Sequence, residues 1–261
     1  MEEKHLNSYS FSRLKTFYNC KLYYYLHYFD KTLPEASHGT SEFGSFVHEI
    51  LEKYAKGELE IYELLPYYEE HYKENIVSDF SLKMSANFSK DMGPKYYESG
   101  KRFLEEFTGF NFNIIDAERQ FNLPYKDKFF LNGKIDLVVT NNDGDIYVID
   151  HKSKGNWKNK SEKQEYAKQL YLYAWAIKQI FGKYPKKMAF FMFRINKWEW
   201  FDFSLKELHK TLNWVENVVD EIESEFDFSP ELDFDGNVVI DFWKRNFCGT
   251  RFSCKYHCGD R

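Results

Sequence analysis

The chain has 261 residues, 43% hydrophobic and 20% aromatic, which is enough apolar surface to fill a core and excludes an intrinsically disordered protein. A formal net charge of −5 and a pI near 6.0 exclude attraction of nucleic acid by a global basic field, so any such contact has to come from a local groove. The opening MEEKHLNSYS has no apolar run and no stretch of about 18 apolar residues occurs, so neither secretion nor membrane insertion is predicted and the expected location is cytoplasmic.

In chain order, the first hundred residues predict helices: one dense in aromatics over 10–28, an amphipathic one over 44–56, and others from about Ile61 and about Pro94. Segments 112–123, 128–140 and 145–152 are rich in Ile, Val, Phe and Tyr and predict strands, the last two joined by a turn at Asn141-Asn142-Asp143-Gly144. A periodic helix follows over 163–181, with Leu170, Tyr173, Ala174 and Ile177 on one face. Strands over 187–194 and 198–203 and a helix over 205–226 complete the order βββαββα, which fits a mixed sheet with a crossover helix. No repeat, low-complexity tract or linker interrupts the chain. One domain over 1–261 is expected, made of a helical region (1–110), a catalytic core (111–226) and a cysteine-containing tail (227–261).

Asp136 lies in Gly133-Lys134-Ile135-Asp136-Leu137-Val138, and Asp150 and Lys152 end the next strand in Val148-Ile149-Asp150-His151-Lys152. Residues two apart in a strand project to one face, so Asp150 and Lys152 point together, and the hairpin brings Asp136 beside them. Two convergent carboxylates suit a hard divalent cation such as Mg²⁺, and a lysine beside it can orient water or offset charge on a phosphate in the transition state. Either residue alone would read as a solvated turn residue. Together, after the apolar run 146–149, they would bury charge at a cost that a cation or partner must offset.

These segments resemble the RecB-type branch of the PD-(D/E)XK nucleases, which includes the CRISPR-associated Cas4-like proteins and single-strand exonucleases. The resemblance implies an α/β restriction-endonuclease-like core, a mixed β-sheet flanked by helices. Gly133-Lys134-Ile135-Asp136 looks like the metal-binding motif and Asp150-His151-Lys152 like the (D/E)-x-K motif. Gln169 and Tyr173 match its Q-x-x-x-Y motif, four apart on one helical face, and are expected at the catalytic centre. His48, in Gly44-Ser45-Phe46-Val47-His48-Glu49-Ile50-Leu51, stands where the branch has a further metal ligand, and an imidazole suits Mn²⁺ better than Mg²⁺. The segment 10–20 resembles the family's N-terminal helix, which ends in a cysteine; there Arg13 could touch phosphate or stay solvated. Glu118 lies upstream, where some relatives complete the metal shell.

Cys20, Cys248, Cys254 and Cys258 are all the cysteines of the chain, and in a reducing compartment their clustering suggests metal ligation over disulfides. The same resemblance implies a [4Fe-4S] cluster on these four thiolates, although the spacing here is C-x₅-C-x₃-C where C-x₂-C-x₅-C is usual; Zn²⁺ accepts the same ligands. The expected activity is that of a metal-dependent nuclease acting on single-stranded DNA or DNA ends, in repair, recombination or CRISPR adaptation. A non-catalytic DNA-binding subunit and an RNA-directed nuclease on the same fold are the alternatives.

Overall fold

The computed structural model describes residues 7–85 and 88–256. At its centre is a meander of β4 (Asn113–Tyr125), β5 (Phe129–Thr140) and β6 (Ile146–Lys152), close to the predicted strands. β4 runs antiparallel along all of β5, from Tyr125 opposite Phe129 to Asn113 opposite Thr140. The other edge of β5 is shared: Ser8–Tyr9 (β1) pairs parallel with its start, and β6 pairs antiparallel with residues 137–140 at its end. Asn141 shapes the turn between β5 and β6, its Oδ1 accepting from the backbone N–H of Asp143 and Asp145, while Gly144 takes a left-handed φ of 77°.

The crossover helix α6 (Lys160–Phe181) starts three residues before the predicted boundary because Asn159 caps it, accepting from Glu162 N–H; it stops at Gly182, φ 73°. It leads to β7 (Lys187–Met192), parallel to β6, and then to β8 (Lys197–Asp202), antiparallel to β7. The predicted strand over 187–194 ends early, since Phe193–Ile195 forms a 3₁₀ turn closed by Asn196 at φ 49°. Ser204 caps α7 (Leu205–Ser224), which ends two residues short of the expected Phe226.

Ahead of the meander the helical expectation needs four corrections. The helix predicted over 10–28 breaks at Cys20, whose backbone is extended, into α1 (Phe11–Asn19) and α2 (Lys21–Tyr25), and then turns to a π-helical Leu26–Asp30. α3 (Gly39–Ala55) begins five residues early, capped by the His38 imidazole, which accepts from Thr40 N–H. A 3₁₀ turn at Ile61–Glu63 precedes α4 (Leu64–Asn75), and α5 (Gly93–Glu106) follows. Between α4 and α5 lies a small hairpin, β2 (Leu82–Ser85) with β3 (Phe88–Lys90), and both this hairpin and β1 are strands in a region read as helical.

The alternation of β6 divides the core. Val148 faces a layer in which Phe11, Leu14, Phe17 and Tyr24 meet α6 and α7. Ile149 faces the opposite layer, where Phe43, Phe46 and Ile50 of α3 meet Tyr68 and Phe103 of α4 and α5. The N-terminal helices thus cover both faces of the sheet, and the carboxyl end of β6 emerges between them. Among the described residues no helix is long and apolar enough to cross a membrane.

Candidate active site

Asp150 and Lys152 follow Val148 on the α6 face of β6, as the two-residue period requires, and His151 follows Ile149 onto the α3 face. The Lys152 ammonium lies 2.6 Å from Asp150 Oδ2 and donates to Gln169 Oε1 at 2.9 Å. Gln169 Nε2 in turn donates to the Tyr173 hydroxyl at 2.8 Å, so the two α6 residues four apart lock one another and the lysine. Gly133 makes room beside them. A Cβ there would come 2.8 Å from the Phe121 ring, which packs edge-on against Tyr173 with centroids 6.2 Å apart.

Asp136 sits where both faces can be reached. Its Oδ2 accepts from the His151 backbone N–H at 2.7 Å and lies 3.5 Å from His48 Nδ1 on α3. The ligand atoms of His48, Asp136 and His151 all lie within 4.8 Å of one another, the one such group among the described residues. The His151 ring is buried against Phe110, parallel at 5.5 Å, and among the described residues neither of its nitrogens has a hydrogen-bond partner. His151 was not singled out in the sequence. An imidazole in an apolar strand reads as core, and only its position between the site aspartate and lysine could have marked it.

Both carboxylates are buried, as the preceding apolar run implied for Asp150: Asp150 is 1% exposed and Asp136 8%. Burial pushes Asp136 up to about 7 and Asp150 up to about 6, against the pull of Lys152 on each. Burial alone would lower Lys152, but the Asp150 and Asp136 carboxylates outweigh it and hold the ammonium above its ordinary range. Burial lowers His48, and lowers His151 well below the ordinary imidazole value, so both rings are neutral and able to ligate. Asp136, uneasy without a cation, and two neutral imidazoles, of which His151 has no hydrogen-bond partner among the described residues, form a donor set that fits a divalent metal, whereas Asp150, a foreseen ligand, is paired with Lys152 and lies outside this group.

A cleft of about 320 Å³ adjoins His48, lined by Gly44, Ser45, Glu49, Glu52, Glu118 and Lys134. Glu118 contacts the Lys134 ammonium and holds a left-handed φ of 55° in the middle of β4, between the pairs Ala117 to Leu137 and Arg119 to Ile135 that flank Asp136. That conformation is uncommon for a residue with a side chain, and all the more inside a strand.

Arg13 is not left to solvent. Its guanidinium is enclosed by Tyr9, Tyr24, Tyr28 and Phe29, and it donates to Ser8 O and the Tyr24 hydroxyl. Cys20 from the N-terminal segment and Cys248 and Cys254 from the tail line one small cavity with Tyr23, Ile240 and Lys244, and Cys258 lies outside the described residues. The tail is tied to the N-terminal segment: Ala36 N–H donates to Gly249 O, Arg251 to Ala36 O, and Ser253 to Pro34 O.

The sequence profile of the PD-(D/E)XK nuclease superfamily matches residues 8–256, and the chain belongs to that superfamily. No curated protein matches it significantly. Among solved structures it is similar to a candidate exonuclease from Eubacterium rectale, at 12% identity and a TM-score of 0.49 over 84% of this chain and 82% of that one. It is also similar to the protein SSO0001, at 12% identity and a TM-score of 0.39 over 98% of this chain and 88% of that one.

Proposed function

We propose that the protein is a divalent-metal-dependent deoxyribonuclease that degrades single-stranded DNA from its ends, with the whole chain working as one nuclease unit in the cytoplasm. The observation that carries the reading is the buried Asp150–Lys152 pair beside the His48, Asp136 and His151 group. His48, Asp136 and Asp150 are the ligands foreseen for Mg²⁺ or Mn²⁺; the two imidazoles favour Mn²⁺, and His151 extends the set. The cation, when bound, supplies Lewis-acid polarisation of the phosphoryl oxygen and acidifies water.

Lys152 keeps its proton at neutral pH, because Asp150 and Asp136 outweigh its desolvation, so it serves as a hydrogen-bond donor and positive charge and not as a base. Gln169 fixes the direction of its ammonium, and Tyr173 fixes which end of the Gln169 amide faces it. This pre-set charge can offset the negative charge that develops on the phosphate without reorganisation. For unpaired bases the N-terminal helices offer Tyr18, Tyr25 and Phe29, which are exposed, whereas Phe11, Phe17 and Tyr24 are core.

Release of nucleotides from labelled single-stranded DNA, duplex DNA and RNA, each with Mn²⁺ and with Mg²⁺, tests the assignment. Single strands with free ends should be cut fastest, and in Mn²⁺. Faster cutting of blunt duplex at equal salt sinks the strand preference, preferential cutting of RNA replaces the substrate, and binding without any cleavage makes the chain an accessory subunit.

The cysteines support a second element of the proposal, a [4Fe-4S] cluster held by Cys20, Cys248, Cys254 and Cys258, with Zn²⁺ as the competing occupant. Cys20 and Cys248 are both raised by burial and each lies near other thiols, a setting in which a metal would stabilise the thiolates. The cluster would staple α2 to the tail and take no part in catalysis. An anaerobic preparation should be brown with iron and sulfide near four per chain, and Cys254→Ser should lose both together with stability. A colourless protein with stoichiometric zinc, or with no metal, removes the cluster and leaves the nuclease assignment standing.

A further inference from the structure

We propose that Arg194 is a phosphate contact of the substrate strand, gripping a backbone phosphate that flanks the bond to be cut; this rests on the nuclease reading. β7 runs parallel to β6 with Met192 opposite Lys152, so the chain leaves β7 at the same end of the sheet at which Asp150 and Lys152 emerge. Phe193 packs edge-on against His48 with ring centroids 5.9 Å apart, and Arg194 follows it in the 3₁₀ turn. On the other side, an ideal Cβ at Gly155, three residues beyond Lys152, would come 3.3 Å from Arg194 Nη2. The guanidinium therefore lies between the strand end that carries His48's neighbour and the loop that leaves the catalytic lysine.

Its bonding is incomplete. The Tyr96 ring covers one face of the guanidinium, 4.1 Å from centroid to Cζ, but stacking does not use the in-plane donors. Among the described residues Nε is buried without a hydrogen-bond partner, and no carboxylate pairs with the group. Three arginines are by contrast committed: Arg119 to Asp116, Arg251 to the Ala36 and Cys248 carbonyls, and Arg13 to Ser8 O and Tyr24. A half-buried, pre-oriented guanidinium with unused donors matches the planar oxygens of a phosphate diester. Gly155 leaves room beside Nη2, where a side chain would crowd it.

The test uses the full chain, a fluorescein-labelled oligo(dT) bound with Ca²⁺ in place of Mn²⁺, and cleavage measured separately in Mn²⁺. Arg194→Gln should weaken binding about tenfold, raise KM more than it lowers kcat, and reduce the slope of log K against log salt by roughly 0.7, with the Mn²⁺ titration unchanged. Arg194→Lys should keep the salt slope while losing part of the affinity. Gly155→Asp, which sets a carboxylate beside the guanidinium and leaves its packing on Tyr96 in place, should mimic Arg194→Gln and serves if that variant folds poorly. An unchanged Kd and salt slope in Arg194→Gln, or a fall in thermal stability with the slope retained, overturns the proposal and leaves the arginine as a prop for Tyr96. Wild-type protein that binds the oligonucleotide through Arg194 but cuts nothing overturns the nuclease reading alone.

Discussion

Replacing Asp136 with asparagine is expected to cut hydrolysis by about 10³-fold while leaving the metal-free protein at least as stable as wild type at pH 8. The two effects have one cause. Burial raises the Asp136 carboxyl to about 7, well above an unfolded value of about 3.9, so the folded protein binds this proton more tightly than the unfolded chain does. Stability from that difference is full below the unfolded value and is lost as pH rises through about 7. Asparagine removes the ionised group while an amide oxygen can still accept from the His151 N–H. Single-turnover cleavage in Mn²⁺ and thermal melts in EDTA at pH 4 and pH 8 check both halves; a variant that cuts at the wild-type rate places the chemistry elsewhere. Asp150→Asn should lose cleavage to the same extent, whereas His48→Ala should chiefly raise the Mn²⁺ concentration needed.

Lys152→Met should be the more damaging change to the fold. It leaves the Asp150 carboxylate buried without its cation, and breaking a buried pair from one side costs about 3 kcal/mol. That penalty depends on pH in a defined direction. With Lys152 present the Asp150 carboxyl already titrates at about 6; without it the carboxyl is raised further, so at pH 5 it is protonated and needs no partner. The variant should therefore lose little stability at pH 5 and the full amount at pH 8, and its cleavage should fall by about 10²-fold or more. Denaturant midpoints of the metal-free protein at the two pH values decide the matter, and equal losses at both would mean that Asp150 is not the group left behind.

The sequence by itself determined whatever repeats with a local period. The two-residue period of β6 set Asp150 and Lys152 on one face, and the helical period of α6 set Gln169 under Tyr173; in the structure these four side chains form one chain of contacts. Strong strand and turn chemistry likewise made the β4–β5–β6 meander legible, with the Asn141 turn between its last two strands. Caps and short pieces were not legible: β1 has only two residues and exists because Phe130 and Leu131 lie beside it, and the break at Cys20 interrupts an otherwise helical pattern. What only the tertiary structure decided is which surfaces cover the strand ends. A period says which way Asp136, Asp150 and His151 point, but not that helices distant in sequence close over them and hold back their ionisation. Burial is a property of non-local packing, and so the raised carboxyls, the unpartnered His151 and the uncommitted Arg194 became visible only once α3, α5 and α6 stood in place around the sheet.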